Sequence, residues 1–560
     1  MRRILIVGGV AGGATAAARL RRLDESAEII MFERGAHISF ANCGLPYHIG
    51  EAIPHREALV LQTPESFRTR FRVDVRSHSE VLSIDRDAMT VSVRNKRTGE
   101  TYIERYDTLL LSPGGTPIKL PIERLHSEGV FTLRDLSDLG RIKDFMVNTR
   151  PRSAAVVGCG FIGLEMAENL VEAGLSVNVV ELSDQVLAPL DVEMACQVHH
   201  CLRRNGVTVH LGSGVNTIDR RGGGLTLQLT NGATLKTDLL ILAIGVTPES
   251  QLAKAAGLKT NRRGGIVVDP HMRTSDPHIF AVGDAVEQID LVTGLPAMVP
   301  LAGAANKQAR TAADNICGIP SSYIGTQASA IVKVFNMTAA TTGVNEKTAR
   351  RLLLNFDKVF LWLPDHAGYY PGARTMSMKV IFERDSGKIL GAQIVGYVGV
   401  DKRCDVLATA IRAGMTARDL TRLELCYAPP YSSAKDPVNM AGYVIENVLK
   451  GKVKNFHWSD VDDLPRDGSL TLLDVRDPQE VLDGGIVGFA NIPLDSLRDR
   501  LGDLDSSKPV YVCCQSGARS YIAARILMQH GFEVYNLSGG YRLYSSVSSL
   551  SALPDSVTAP

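Results

Sequence analysis

Between Cys43 and Cys159 the sequence contains no cysteine, so a thiol at position 43 has no near neighbour with which to close a redox disulfide. Dithiol chemistry inside SFANCGLPY, residues 39–47, is thereby excluded. The nine cysteines are odd in number and scattered, with no C-x-x-C pair and no zinc-ligand spacing. This argues against a disulfide scaffold or a metal module, and for a thiol-reducing, cytoplasmic setting. No apolar run approaches the roughly 18–20 residues that cross a bilayer. The opening MRRILIVGGVAGG has only four apolar residues before glycines break it, and reads as a buried strand rather than a targeting segment. Net charge is +1, and there is no repeat, low-complexity tract or basic interleaved patch, so neither nucleic acid nor membrane is an expected partner. Any anion site must be local.

With 560 residues, 45% hydrophobic and 22% charged, the chain has the composition of a soluble globular protein of three or four domains. RRILIVGGVAGGATAAARLRRL reads as strand, glycine turn and helix, with Gly8, Gly9, Gly12 and Gly13 in the turn. EIIMFER follows as a second strand carrying Glu33 and Arg34 at its end. Glycines that admit a pyrophosphate at a helix N-terminus, followed about 20 residues on by an acid for ribose hydroxyls, form a dinucleotide site. Val10 stands where the middle glycine of G-x-G-x-x-G belongs. The second copy, SAAVVGCGFIGLEMAENL, is complete in Gly158, Gly160 and Gly163, and its second strand ends at Glu181. An acid there repels a 2′-phosphate, which favours NADH over NADPH.

LLLSPGGTP (109–117), ILAIGVTPES (241–250, with Gly245) and TSDPHIFAVGDA (274–285, with Gly283 and Asp284) are apolar strands ending in glycine turns. Together with the two dinucleotide units they resemble the two-dinucleotide flavoprotein reductases over residues 1 to about 450. The resemblance implies FAD in the first unit, with Gly283 and Asp284 at its ribityl and pyrophosphate, and the nicotinamide in the second. SFANCGLPY is similar to the S-F-x-x-C-x motif of the single-cysteine branch: NADH oxidases, NADH peroxidases and coenzyme A disulfide reductases. Oxidase and peroxidase members carry a histidine where this chain has Ala11. HAGYYPGA (366–373) and LCYAPPYSSAKDPVN (425–439) resemble the tyrosine segments of coenzyme A disulfide reductases, which implies Tyr369 and Tyr427 as catalytic residues reaching Cys43 from the other subunit of a homodimer. The implied coenzyme A ligands are Thr15, Arg19, Arg22, Ser39, Asn42, Asn306 and Lys435. A family lysine falls on Phe71, so Arg70 or Arg72 would replace it. Cys43 is expected to have a lowered pKa, since the thiolate is its useful form.

After residue 450 the texture becomes polar, then alternates strands and helices. LLDVRDPQE, GFANIPL and CQSGARS resemble a rhodanese domain. Four residues separate Cys514 from Arg519, one fewer than in the related phosphatase loop, which favours sulfur over phosphate. Ser516, Gly517 and Ala518 allow an anion nest, with Arg519 adding charge. Asp474 and Arg476 are expected to brace the domain, Cys513 to face the core, and GGI at 484–486 departs from the usual G-H-I.

The expected fold class is α/β: a two-dinucleotide-binding flavoprotein with FAD and NAD Rossmann-like domains, an α+β dimerisation domain and a C-terminal α/β rhodanese domain. The expected boundaries are 1–150 and 271–324 (FAD), 151–270 (NAD), 325–449 (dimerisation), 450–465 (linker), 466–550 (rhodanese) and 551–560 (tail). The implied activity is NADH-driven, FAD-dependent reduction of coenzyme A disulfide, coenzyme A persulfide or polysulfide at Cys43, with small thiols and persulfides as substrates. Two alternatives stand beside it: an NADH oxidase or peroxidase using a Cys43 sulfenate, and a persulfide relay or sensor with little turnover.

Overall fold

The computed structural model describes residues 2–122, 127–221 and 223–551. They form two compact units: residues 2–184 with 206–328, and residues 185–205 with 329–551. All but the first residue of the expected tail lies outside the described residues.

The first unit holds two parallel sheets. One runs in the order Ile279–Ala281, Thr108–Leu111, Arg3–Val7, Glu28–Glu33, Asp74–Ser77. Its inner strands are rich in apolar residues because both faces are covered, and Ile4, Leu5 and Ile6 are fully buried, whereas the edge strand Asp74–Ser77 is mostly polar. The other runs Thr208–His210, Ser176–Val180, Ser153–Val157, Leu239–Leu242, Val130–Phe131. Each is accompanied by a three-stranded antiparallel sheet, Ser79–Asp85 with Thr90–Asn95 and Thr101–Arg105, and Val215–Arg221 with Gly224–Leu229 and Thr234–Thr237. In both parallel sheets the strand before the glycine turn is central, so each turn opens at a carboxyl end between neighbouring strands, where open α/β sheets bind ligands.

The second unit contains an antiparallel sheet in the order Ala330–Val334, Met337–Gly343, Ile389–Gly396, Thr375–Glu383, Phe356–Pro364. The helix Val192–Arg204, read from sequence as part of the NAD domain, belongs to this unit. Its apolar face, including Met194, Cys196, Val198 and Leu202, is buried, and Gln197 Nε2 donates to Ser377 Oγ over 2.7 Å. An amphipathic pattern fixes which face is buried but not what covers it.

The last sheet is parallel, in the order Lys454–Phe456, Val534–Leu537, Val510–Cys513, Thr471–Asp474, Ala490–Asn491. Its first strand lies inside the segment read as a linker. Three residues, Lys-Asn-Phe, with a single apolar side chain are too few to stand out as a strand in sequence.

Candidate functional site

At the first glycine turn the backbone leaves no space for side chains. A Cβ at Gly8 would stand 2.1 Å from the Ser112 carbonyl oxygen, and one at Gly13 would stand 1.8 Å from the Gly8 carbonyl oxygen. Glu33 accepts the backbone N–H of Gly9 at 2.9 Å through one oxygen and that of Gly35 at 2.7 Å through the other. The carboxylate therefore braces the turn and keeps lone pairs free for ribose hydroxyls. Gly283 (φ +86°) donates its N–H to Gln308 Oε1 at 2.8 Å. Beside it, Asp284 is half-buried, makes no hydrogen bond among the described residues, and has its pKa pushed up by burial. A bare carboxylate above a turn closed to every side chain fits a flavin dinucleotide with hydroxyl donors. Arg34 donates to Glu249 at 3.2 Å, so its charge is partly neutralised.

The second turn repeats the design. A Cβ at Gly163 would stand 1.9 Å from the Gly158 carbonyl oxygen, and Glu181 accepts N–H groups from Cys159 (2.7 Å) and Ser183 (2.9 Å). Gly160 has open space around its Cβ direction, so its role is to leave room rather than to avoid a clash. These residues fit a nicotinamide dinucleotide. Gly245 (φ +106°) accepts the N–H of Ile118 across the paired strands Gly115–Pro117 and Val246–Pro248.

Cys43 is an exposed free thiol in the single 3₁₀ turn Asn42–Gly44. Asn42 Oδ1 accepts its backbone N–H at 3.1 Å and lies 3.8 Å from its sulfur. The expected acid shift is absent: burial of the sulfur, then the Glu165 and Asp284 carboxylates, push the Cys43 thiol up. The residue as a whole is exposed, yet its sulfur is partly desolvated and feels the Glu165 and Asp284 charges. Glu165 was not a sequence candidate. It sits on the helix Phe161–Glu172 after the second glycine turn and accepts a hydrogen bond from Tyr47 at 3.1 Å. Burial raises the Glu165 pKa, and burial together with Glu165 raises that of Tyr47.

Two expected coenzyme A ligands 291 positions apart meet, Thr15 Oγ1 donating to Asn306 Oδ1 at 2.7 Å. Ser39 adopts φ +43° and donates its N–H to the Gly9 carbonyl at 2.8 Å, which seats it against the first turn. Arg22, Asn42, Arg70, Arg72, Asn306 and Lys435 are exposed. Arg19 is not a free cation, since its Nε donates to Asp314 at 2.8 Å. Arg21, on the same helix, is buried and donates to four carbonyls, those of Asp24, Glu25, Phe71 and Arg72. That role is structural, and Phe71 packs against the neighbouring core. In the second unit Tyr369 and Tyr427 are exposed with their hydroxyls 3.1 Å apart. That hydrogen bond raises the Tyr369 pKa.

Cys514 lies at the foot of its loop with no exposed surface. Its sulfur accepts the backbone N–H of Gly517 and the hydroxyl of Ser520, each at 3.2 Å. Gly517 (φ +94°) caps the helix Ala518–Gln529. Arg519 does not turn to the sulfur: its guanidinium is held by both oxygens of Glu480, at 2.7 and 2.6 Å, with Asp477 at 3.5 Å. The local sequence shows an arginine one turn into a helix, and nothing in it reveals a carboxylate 39 residues earlier. Asp474 and Arg476 form a buried pair at 2.7 Å, and Arg476 also donates to the Gly484 carbonyl (2.8 Å) and to Gln515 Oε1 (3.3 Å), bracing both loops. Cys513 is buried on the opposite face, its pKa raised by burial.

Residues 2–304 match the family described as pyridine nucleotide-disulphide oxidoreductase, 329–437 match that family's dimerisation domain, and 457–546 match the rhodanese-like domain. A coenzyme A disulfide reductase of Staphylococcus epidermidis is 38% identical over 447 residues, 79% of this chain and 99% of the relative. The solved structure of reduced Bacillus anthracis CoADR-RHD shares 50% identity at a TM-score of 0.96 over 98% of both chains. An NAD-dependent persulfide reductase from A. fulgidus shares 38% identity at 0.91, over 97% of this chain and 100% of that one.

Proposed function

The chain belongs to the pyridine nucleotide-disulphide oxidoreductase family, as an FAD-dependent reductase with a C-terminal rhodanese domain, and on that premise we propose that it uses NADH to reduce a coenzyme A disulfide or persulfide at Cys43. The observation that carries this reading is an exposed thiol with no cysteine partner, set in a turn fixed by Asn42. An enzyme with one redox cysteine must borrow the second sulfur from its substrate.

Cys43 attacks the coenzyme A sulfur of a persulfide, forming a mixed disulfide and releasing hydrosulfide. FAD supplies the two-electron link between nicotinamide and this disulfide. The sum is NADH + CoA–SSH → NAD⁺ + CoA–SH + HS⁻. Asn42, beside the sulfur, and Ser39, seated against the first turn, orient the incoming thiol, and Thr15, Asn306, Arg22 and Lys435 hold the nucleotide end. Tyr427, with its hydroxyl shared with Tyr369, protonates the leaving sulfur from the partner subunit. Their joint exposure supports a homodimer with shared sites. Glu181, with no cation at its strand end, supports NADH as the preferred donor.

Cys514 supplies the substrate. A persulfide on its sulfur, held by Gly517 and Ser520, passes its outer atom to coenzyme A: Cys514–SSH + CoA–SH ⇌ Cys514–SH + CoA–SSH. The oxidase and peroxidase alternative lacks a proton donor at Ala11.

Anaerobic NADH oxidation with coenzyme A disulfide, coenzyme A persulfide, polysulfide and glutathione persulfide tests the scheme in the wild type, Cys43→Ser and Cys514→Ser. Cys43→Ser abolishes all turnover, and Cys514→Ser spares small substrates while impairing polymeric sulfur. Equal loss in both variants with every substrate contradicts the division of labour.

A further inference from the structure

The loop of Cys514 is held by a segment that has two faces. On one face, the Tyr541 N–H donates to the Cys514 carbonyl at 2.8 Å and the Arg542 N–H to the Gln515 carbonyl at 3.0 Å. A Cβ at position 540 would stand 2.5 Å from the Cys514 carbonyl oxygen, so this approach requires Gly540 (φ +66°). A Cβ at Gly517 would likewise meet the Gly539 nitrogen at 3.2 Å.

The other face is gripped by the strand Phe356–Pro364, the edge of the antiparallel sheet in the same unit. An edge strand has N–H groups that no neighbouring strand satisfies. That of Phe360 donates to Ser538 Oγ at 3.1 Å, and the Trp362 indole N–H donates to the Gly539 carbonyl at 3.0 Å. The Arg542 guanidinium then lies 4.3 Å over the Trp362 ring, a cation–π arrangement. Ser538, Gly539 and Gly540 are buried between the two. A domain attached only by a tether would need none of these contacts.

We propose that Trp362 and Arg542 are positioning residues for the Cys514 loop, so that the dimerisation sheet, outside the rhodanese domain, keeps the sulfur site closed and in register. The proposal rests on the reading of Cys514 as the sulfur carrier. With the clasp intact Cys514 has no exposed surface. Releasing it lets the segment Ser538–Arg542 lift from the loop and admits reagent to the sulfur.

The test uses the full-length flavoprotein. Trp362→Phe keeps the ring and removes the indole donor. Arg542→Gln removes the cation and leaves the strand untouched. The rate of Cys514 alkylation by iodoacetamide, mapped by peptide mass, rises about fivefold in each variant, the scale of one lost hydrogen bond for Trp362→Phe and of one lost cation–π contact for Arg542→Gln. Turnover with coenzyme A disulfide, which does not pass through Cys514, stays at the wild-type rate, and thiosulfate-to-cyanide sulfur transfer shows an altered kcat. An alkylation rate equal to wild type in both variants overturns the clasp. Retention of sulfur transfer in Cys514→Ser would instead overturn the carrier reading, so the two failures are distinguishable.

Discussion

The Tyr47 hydroxyl donates to Glu165 across 3.1 Å, tying the helix Leu45–Ile49 behind Cys43 to the helix behind the second glycine turn. The Gly50 position that follows approaches so closely that a Cβ there would stand 2.3 Å from Asn169 Oδ1. An electrostatic consequence accompanies this packing.

The groups acting on the Cys43 sulfur are Glu165 and Asp284, with Glu168 facing Glu165 and Arg134 facing Asp284. Both carboxylates oppose the thiolate. Glu165→Gln therefore lowers the Cys43 pKa, and at a pH below the midpoint a tenfold stronger acid carries about tenfold more thiolate. The pH profile of Cys43 alkylation moves to lower pH in that variant, while Glu165→Asp, which keeps the charge, stays near wild type.

Gly163→Ala places a methyl group where 1.9 Å separates it from a carbonyl oxygen of the second turn only. The purified variant retains its flavin absorbance and loses anaerobic flavin reduction by NADH. Gly13→Ala, with the same clash in the first turn, is purified without flavin.

Lys379 is fully buried, with its ammonium 2.8, 2.5 and 2.6 Å from Asp191, Glu193 and Glu346. Removing one partner of such a cluster leaves buried charge uncompensated, at about 3–5 kcal/mol, so Lys379→Met lowers the melting temperature at pH 7. Burial pushes the Glu346 carboxyl up, but Lys379 and Lys358 outweigh it and hold the group well below the usual carboxylate range. The stabilisation from a depressed carboxylate is complete above its unfolded value of about 4.3 and is lost as pH falls toward the folded value. Melting curves of the two proteins accordingly begin to converge only below about pH 4, and approach each other progressively as pH falls further.

Ser520→Ala removes one of the two donors to the Cys514 sulfur. A hydrogen bond contributes about 0.5–1.5 kcal/mol, so sulfur transfer at Cys514 slows by about two- to tenfold. NADH turnover on coenzyme A disulfide is unaffected.

Both glycine turns are legible in the sequence because their cause is local: a strand, a glycine turn and a helix follow one another within about twenty residues. The lone Cys43 is legible for the same reason, as is Cys514 at the start of its loop. Thr15 with Asn306 is a different case, since 291 residues separate them and only likeness to a family paired them. Charges deceived most. Arg19, Arg21 and Arg519 look like free cations in one dimension, yet each finds its acceptor on a distant or bent segment. The acidity of Cys43 was out of reach for an equivalent reason, because Glu165 and Asp284 converge on it from positions 122 and 241 residues away.

The most direct measurement follows the borrowed sulfur itself. The protein is oxidised anaerobically with coenzyme A disulfide, denatured without reductant and mapped by mass. The expected result is a coenzyme A adduct on the Cys43 peptide, released as one thiol per flavin when NADH is added before denaturation. A Cys43 peptide bridged to another cysteine of the chain, or left as a free thiol through the whole cycle, would contradict it.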